Sequence, residues 1–169
     1  MNSTDLASGP CPLGRAAGIL GDRWTLLIMR NATLGATRFE QFRTGLGIAD
    51  NILSNRLGKL VDAGVLTKEP YEDGNRIRSH YRITQAGVAL RPVLEALAAW
   101  GHTYANPAEP TIAVRIVHLA CGRPTADGSY CDVCDTAITN EDAAWVMPWV
   151  SEEPIPLATA AATAAPDGS

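Results

Sequence analysis

Two short motifs near the C-terminal end place metal-binding side chains in pairs. His118-Leu119-Ala120-Cys121 and Cys131-Asp132-Val133-Cys134 each set two residues between two ligands, and nine residues separate the pairs. This spacing lets each tight turn aim two side chains at one ion, and two such turns supply the four ligands of a closed tetrahedral site. The sequence therefore predicts one structural zinc ion, held by His118, Cys121, Cys131 and Cys134.

Two alternatives use the same cysteines without metal: a reversible disulfide between Cys131 and Cys134, or three plain thiols. Asp135 follows the second pair where glycine would favour the turn, and the loop between the pairs is short. The geometry of these turns is therefore the point on which the zinc prediction depends.

The fourth cysteine, Cys11, lies directly before a predicted helix. Unsatisfied amides at a helix N-terminus stabilise a thiolate, so Cys11 is a candidate redox sensor. No second cysteine lies between Pro12 and Ala120 to form a disulfide with it. A buried or inert thiol is therefore the favoured interpretation.

Other kinds of site leave no signal in the sequence. The chain has no phosphate-binding glycine loop, no HExxH helix and none of the usual nucleophile motifs, so we do not expect an enzyme. It also shows neither a long apolar run nor a signal peptide, and we expect a cytoplasmic protein. Structural disulfides are rare in that reducing compartment.

The first two thirds of the chain contain helices that could position a binding surface. Apolar residues recur at helical spacing over 12–20 and from Trp24 to about Arg30. A capping box of Thr37 and Glu40 predicts a short helix through Arg43, and a longer helix is expected over about 49–63, ending at Gly64. The glycine-bearing turn over 44–47 joins these two helices, which is the helix-turn-helix layout.

The polar side of the longer helix is the candidate DNA-reading surface. Asparagine pairs with adenine, serine with base edges or phosphate, and arginine or lysine with guanine or phosphate. A solvated polar face is the alternative, since most surface helices have one. The predicted contacts on this helix and at the start of the preceding one are Thr37, Arg38, Asn51, Ser54, Asn55, Arg56 and Lys59.

A β-hairpin is predicted directly after this helix. Residues 65–69 and 79–83 are typical of strands, and Asp73-Gly74-Asn75 forms the turn. Arg76 and Arg78 lie near its tip, where they are either contacts to phosphate and the minor groove or ordinary hairpin charges. Thr84 then caps a helix predicted to run to about Ala105, with a kink at Pro92.

Charge is distributed unevenly along the chain. Residues 11–106 hold 12 Lys and Arg against 8 Asp and Glu, whereas residues 107–169 hold 2 against 9. A basic domain followed by an acidic segment suits a protein whose first part approaches phosphate. We predict a disordered N-terminus over 1–10, a DNA-binding and dimerisation domain over 11–106, a Cys/His-rich appendage over 107–150 and a disordered tail over 151–169.

Several motifs together resemble the HxlR-type winged helix-turn-helix regulators, relatives of the MarR group, over about residues 11–104. They are Cys11-Pro12-Leu13, Gly21-Asp22-Arg23-Trp24-Thr25-Leu26-Leu27-Ile28, Arg38-Phe39-Glu40-Gln41-Phe42, Leu53-Ser54-Asn55-Arg56-Leu57, Leu60-Val61-Asp62-Ala63-Gly64-Val65-Leu66, Tyr81-Arg82-Ile83-Thr84 and Ala99-Trp100-Gly101. Similar His-Cys and Cys-Cys extensions occur in relatives of this family, and some members sense oxidants or electrophiles through a cysteine placed like Cys11.

The resemblance implies a homodimer formed by the first and last helices of the domain, bound to a pseudo-palindromic operator. The apolar pattern of the residues agrees, because two apolar helices flanking a small domain need a partner surface. The alternative is that these helices close the core of a monomer. The expected interface residues are Leu13, Ala16, Ala17, Leu20, Val93, Leu97 and Trp100.

The predicted fold is therefore mainly α with a small β-hairpin (α+β), a winged helix-turn-helix with a small zinc-ribbon-like appendage. The predicted function is sequence-specific regulation of transcription on double-stranded DNA, with any small-molecule or redox effector unidentified. The alternatives are a protein-interaction module that uses the appendage and a regulator that senses redox state through Cys11. A zinc or thiol enzyme is the least favoured interpretation.

Overall fold

The computed structural model describes residues 9–105 and 113–162. The chain divides into two compact units, one comprising Met1–Ala32, Ala36–Gly87 and Ala160–Ser169, the other Thr33–Gly35 and Val88–Thr159. This division differs from the predicted boundary at residue 106, since the last long helix falls in the second unit. Within the described parts of the chain, no helix is long and apolar enough to cross a bilayer.

The first unit begins with two helices, α1 (Pro12–Leu20) and α2 (Arg23–Thr33). Pro12 occupies the first turn of α1, where its missing N–H costs nothing, and the Asp22 carboxylate accepts the Trp24 amide at 3.0 Å to open α2. Helix α2 buries Ile28 and Met29 completely, whereas α1 buries no residue. Leu13 and Ile19 of α1 are thus left exposed.

Helices α3 (Phe39–Leu46) and α4 (Asp50–Asp62) follow. The turn predicted over 44–47 is wrong in its bounds, because α3 continues through Leu46 and residues 47–49 make the connection. Gly47 ends α3 with a left-handed backbone at φ 61°, a conformation that residues with a side chain adopt only with strain. Phe42 of α3 and Leu53, Leu57 and Leu60 of α4 are buried in the core of the unit.

The predicted capping box of Thr37 and Glu40 is wrong. The Gln41 side chain accepts the backbone N–H groups of Arg38 and Thr37, at 2.8 and 2.9 Å, so the helix begins one residue later than the pattern indicated. Glu40 instead pairs with Arg43 at 2.7 Å.

The predicted hairpin is present and is longer than expected, with β1 (Leu66–Asp73) antiparallel to β2 (Arg76–Ile83). Leu66 and Ile83 are cross-strand partners at its base and are both buried. Asp73 pairs with Arg76 across the two-residue turn, where Gly74 has φ 62°. The tip extends away from the core as an exposed wing.

The predicted helix from Thr84 to Ala105 is interrupted. Thr84 Oγ1 accepts the Gly87 amide at 3.2 Å and caps a single turn, α5 (Gln85–Val88). A separate helix, α6 (Arg91–Tyr104), then begins with Pro92 in its first turn. Proline therefore starts a helix here, where its fixed φ is favourable, and does not kink one.

The second unit packs α6 with a small β-structure. Strands β3 (Arg115–His118), β6 (Ala143–Met147) and β7 (Ser151–Pro156) form an antiparallel sheet in the order β3-β6-β7. Strands β4 (Tyr130–Cys131) and β5 (Thr136–Ala137) form a short hairpin. Every residue of β6 is buried, which fits its central place in the sheet.

The predicted disordered tail over 151–169 is wrong for its first part. Ile155 pairs with Trp145, Leu157 is buried, and the Leu157 amide donates to the Ala143 carbonyl oxygen at 3.1 Å. These contacts give β7 a partner strand and an apolar environment that its Pro- and Glu-rich composition does not reveal. The predicted lead over 1–8, the linker over 106–110, Ile112 and residues 163–169 lie outside the described residues.

Gly87 has no room for an added methyl group. A Cβ there would lie 2.4 Å from the Val65 carbonyl oxygen and 2.6 Å from Ile83 Cγ1. We expect Gly87→Ala to lower the free energy of unfolding by about 1–3 kcal/mol, measured by urea denaturation. The matched control, Gly58→Ala in α4, meets nothing within 4 Å and should raise it by about 0.5–1 kcal/mol. Equal effects of the two substitutions would contradict the close approach at Gly87.

Candidate functional site

The exposed side of α4 presents the polar residues that the sequence predicted. Because Leu53, Leu57 and Leu60 turn inward, Asn51, Ser54, Asn55 and Lys59 are exposed on other sides of the helix. Asn51 Oδ1 accepts the Ile52 amide at 2.9 Å, so this side chain is partly engaged at the helix start. Ser54, Asn55 and Lys59 remain in reach of an external partner.

Arg56 occupies a different place from its predicted neighbours. Its guanidinium donates to the Asp22 carboxylate at 2.8 Å, and both side chains are half-buried. This ion pair connects α4 to the residue that caps α2. Arg56 therefore links two helices of the first unit, and an additional contact of its guanidinium with DNA stays a prediction.

The N-terminal end of α3 faces the wing through aromatic and polar contacts. Thr37 Oγ1 lies 3.1 Å from His80 Nδ1, the rings of His80 and Tyr71 are 4.2 Å apart, and the Arg38 guanidinium lies over Tyr71 at 5.4 Å. Sequence reasoning missed Tyr71 and His80, whose hairpin position gives no indication of their partners on α3. Arg38 is exposed and is held at a fixed distance from the wing.

A cleft of about 410 Å³ lies between the start of α3 and the wing. Burial raises the pKa of the Tyr81 phenol at its wall. The cleft is lined by Arg38, Phe39, Glu40, Tyr71, Asp73, Arg78, Ser79 and Tyr81.

The wing tip places charge and apolar surface side by side. Arg76 and Arg78 are exposed, and Arg78 Nε lies 2.6 Å from the Asp73 carboxylate, which offsets part of its charge. Ile77 between them is 81% exposed, although isoleucine is usually buried. The sequence analysis passed over Ile77. Its place between two arginines next to the predicted turn is the signal that could have identified it.

The two helices predicted to form a dimer interface both carry exposed apolar side chains. On α1, Leu13 is 78% exposed, Ala16 and Ala17 are exposed and Leu20 is half-buried. On α6, Val93, Leu97 and Trp100 are exposed, and Tyr104, which the sequence analysis missed, continues the same row. Their spacing of four, three and four residues makes one stripe along the outer face of α6.

The four predicted metal ligands converge in the second unit. Their donor atoms all lie within 4.8 Å of one another, with Cys121 Sγ 3.6 Å from Cys131 Sγ and 3.5 Å from His118 Nδ1. His118 ends β3, and a turn closed by the Gly122 amide on the His118 carbonyl oxygen brings Cys121 back. The β4–β5 turn carries the cysteine pair, and Asp135 within it adopts φ 53°, the left-handed conformation that glycine would favour.

The thiols of this cluster differ in their readiness to ionise. Burial by itself raises the pKa of the Cys131 thiol, but hydrogen bonds from the Cys134 amide and from the Cys121 side chain outweigh it and lower the pKa to about 7. The pKa of Cys134 is raised to about 11, first through its contact with Cys121. Metals bind thiolates, so the lowered pKa of Cys131 favours its action as a ligand.

Cys11 stands apart from this cluster. It is exposed at the N-cap of α1, and its Sγ accepts the Gly14 amide at 3.4 Å. This contact agrees with the predicted position before the helix. The favoured interpretation was a buried or inert thiol; burial is wrong, and an inert thiol stays a prediction.

A buried polar network that the sequence analysis missed connects α6 to the β-structure. Trp145 Nε1 donates to Glu95 Oε1 at 2.8 Å, and Arg91 donates to the carbonyl oxygens of Gly128 and Thr139 at 2.8 and 3.2 Å. Burial raises the pKa of Glu95, while the Trp145 hydrogen bond and the charge of Arg91 oppose that rise. Ionisable side chains are seldom this buried without a structural reason.

Comparison with known proteins identifies the group to which this arrangement belongs. Residues 19–109 match the HxlR-like helix-turn-helix family. The chain is 39% identical over 128 residues to Rv3095 of Mycobacterium tuberculosis (strain ATCC 25618 / H37Rv), an uncharacterized HTH-type transcriptional regulator, covering 75% of this chain and 79% of that protein.

Two solved structures are similar over most of the chain. PA1607, described as a candidate transcription factor, has a TM-score of 0.64 at 35% identity and covers 83% of this chain and 96% of its own. PA1374 of Pseudomonas aeruginosa, described in the same way, has a TM-score of 0.51 at 30% identity and covers 94% and 95%. The chain belongs to the HxlR-like helix-turn-helix family of transcriptional regulators.

Proposed function

We propose that this transcriptional regulator acts as a homodimer on a pseudo-palindromic operator, with one α4 helix reading each half-site and one structural zinc ion in each Cys/His cluster. The observation that carries the proposal is the exposed polar side of α4, which lies between an ordered glycine turn and an arginine-bearing wing. That combination is how winged helix-turn-helix proteins present a helix to the major groove. A dimer bound at a promoter blocks or assists polymerase.

Base reading and phosphate binding are divided between two elements in this proposal. The Asn51, Ser54 and Asn55 side chains suit base edges. Asn55 is the exposed amide that we propose for adenine, since Asn51 already accepts the Ile52 amide. Cationic side chains at the start of α3, on α4 and on the wing suit phosphates and the minor groove, and such contacts fix position without reading sequence. The proposed phosphate or groove contacts are the hydroxyl group of Thr37 and the cationic side chains of Arg38, Lys59, Arg76 and Arg78.

Dimerisation is supported by the exposed apolar side chains of α1 and of the outer face of α6. Contiguous apolar surface of this kind usually marks an interaction site. Since the α6 stripe contains a tryptophan and a tyrosine, residue types enriched at interfaces, a second copy of the chain is the occupant we propose. Two linked recognition helices also supply the area and charge that one helix lacks.

The Cys/His cluster fits zinc by donor chemistry and by distance. Tetrahedral zinc with Zn–S near 2.3 Å and Zn–N near 2.0 Å requires donor separations of about 3.5–3.8 Å, and the two separations given above agree with that range. The ion would cross-link the turn after β3 to the β4–β5 turn. With four protein ligands its role would be structural. A DNA-binding role supports the proposed cytoplasmic location.

A division of labour between α4 and the wing predicts unequal effects of single substitutions. Asn55→Ala or Ser54→Ala should lower discrimination between operator and random DNA, with a cost of about 1–3 kcal/mol on the operator. Arg76→Ala should weaken binding to both DNAs nearly equally and reduce the salt slope by about one. Anisotropy titrations at fixed salt measure both quantities, and equal losses for the three variants would refute the division. If the chain instead bound a protein partner with an affinity that does not depend on salt, the alternative of a protein-interaction module would be supported.

The dimer proposal predicts that the outer face of α6 is essential for assembly. The purified protein should sediment as a dimer. Leu97→Asp should give a monomer that no longer binds operator, because dimerisation would bury the charge of the aspartate. Sedimentation equilibrium and operator titration are the measurements. Glu69→Gln on the wing strand serves as a control that should stay dimeric. A parent protein that binds operator as a stable monomer would show the proposal to be wrong.

The zinc proposal predicts one zinc per chain and a second unit that depends on it. Metal binding supplies on the order of 10 kcal/mol in structural sites, which the two small buried clusters of this unit, of six and three residues, cannot replace. Cys131→Ser should lose zinc and make residues 113–159 sensitive to protease. Cys11→Ser, outside the cluster, should change neither.

Metal analysis under reducing conditions and limited proteolysis test this expectation. Much less than one zinc per chain, or unchanged protease resistance in Cys131→Ser, would exclude a structural zinc and favour a thiol or disulfide role.

A further inference from the structure

Helix α6 has two faces with different occupants. Its outer stripe is exposed, whereas Arg91 and Glu95 on the inner face are buried and Leu94 packs against the core that contains Cys131 and Trp145. A single helix of 14 residues is marginal in water, so tertiary contacts of the inner face must supply most of its order. Among the residues that pack against that apolar core, only Leu94 comes from α6. The buried side chains of Arg91 and Glu95 are therefore the main anchors of the helix.

Those anchors contact the same segments that carry the four ligands. The Arg91 guanidinium binds the Gly128 carbonyl oxygen, three residues before Cys131, and the Thr139 carbonyl oxygen just beyond β5. The Ile138 amide donates to the Ser129 carbonyl oxygen at 2.8 Å and closes this hairpin. Both acceptors of Arg91 therefore lie at the base of the loop that presents Cys131 and Cys134.

The second anchor, Glu95, contacts β6, the strand that pairs with the strand ending in His118. Glu95 accepts from Trp145, and Trp145 pairs across the sheet with Ile116 of the strand that ends in His118. The fit is close, since a Cβ at Gly128 would lie 2.9 Å from Glu95 Oε2 and 3.1 Å from Ile116 Cδ1. Packed interiors transmit displacement because they have no room to absorb it.

We propose that Arg91 and Glu95 are positioning residues that couple metal binding at the Cys/His cluster to dimer formation through α6. This inference rests on the proposed zinc-bound dimer. With the cluster loaded, the β4–β5 loop and β6 hold the anchors and α6 stays helical with its outer stripe ordered. Without the ion, the anchors lose their fixed partners, and dimerisation must supply the free energy of ordering the helix.

Linkage makes the coupling measurable in both directions. If zinc strengthens the dimer by some factor, dimerisation must strengthen zinc binding by the same factor. We expect a factor of about 5–150, the usual range of such coupling. The dimer dissociation constant is measured by sedimentation with and without zinc, and zinc affinity by competition with a chromogenic chelator, below and above the dimerisation concentration.

Trp145→Phe tests the route itself. It deletes the indole N–H and leaves the buried Glu95 carboxylate without its donor, while keeping an aromatic ring in the core. The zinc-loaded variant should dimerise more weakly than the parent, with faster hydrogen exchange over 91–104. Trp149→Phe is the matched control, because Trp149 lies in the turn after β6, 57% exposed, and should leave both measurements unchanged.

The outcomes separate the inference from the function on which it rests. A zinc-loaded dimer whose dissociation constant and α6 exchange do not respond to metal removal would overturn the coupling alone. Equal effects of Trp145→Phe and Trp149→Phe would also overturn it. A chain that binds no zinc, or that stays monomeric when loaded, would overturn the proposed function and the coupling together.

Discussion

Burial of three leucines on one side of α4 is the constraint on which the proposed DNA-binding surface depends. Leu53, Leu57 and Leu60 are almost fully enclosed, so the rotation of the helix about its axis is set by packing. The ion pair of Arg56 with Asp22 adds a second fixed point. The helix backbone that carries the exposed side chains is therefore fixed in place, which favours recognition of base edges.

The second unit is organised by a different kind of interaction. Its apolar core is small, and polar groups occupy positions that aliphatic side chains would fill in a larger domain. The carbonyl oxygens that Arg91 contacts belong to loops, so the guanidinium satisfies backbone groups that strands cannot pair. Such a network costs more to bury than an apolar one but defines a single arrangement of helix and loops.

The features that the sequence could predict are those encoded within a few residues. The glycine turn before α4, the Gly74-Asn75 hairpin turn and the spacing of His118 with Cys121 all follow from local chemistry, and each is present. The Arg56 ion pair joins residues 34 apart, and the Glu95 bond to Trp145 joins residues 50 apart. Neither partner has a local signal, so only the folded chain reveals them.

The composition of β7 has a consequence for how the folded chain behaves in a crowded solution. An edge strand offers unpaired N–H and carbonyl groups to any neighbouring strand and so invites fibrous aggregation. Strand β7 is such an edge, and it carries Glu152 and Glu153 together with Pro154 and Pro156, which have no N–H to donate. On the other edge, Val117 of β3 already bridges to Pro124. Both borders of the sheet thus disfavour strand addition, which lowers the tendency of this unit to form polymers.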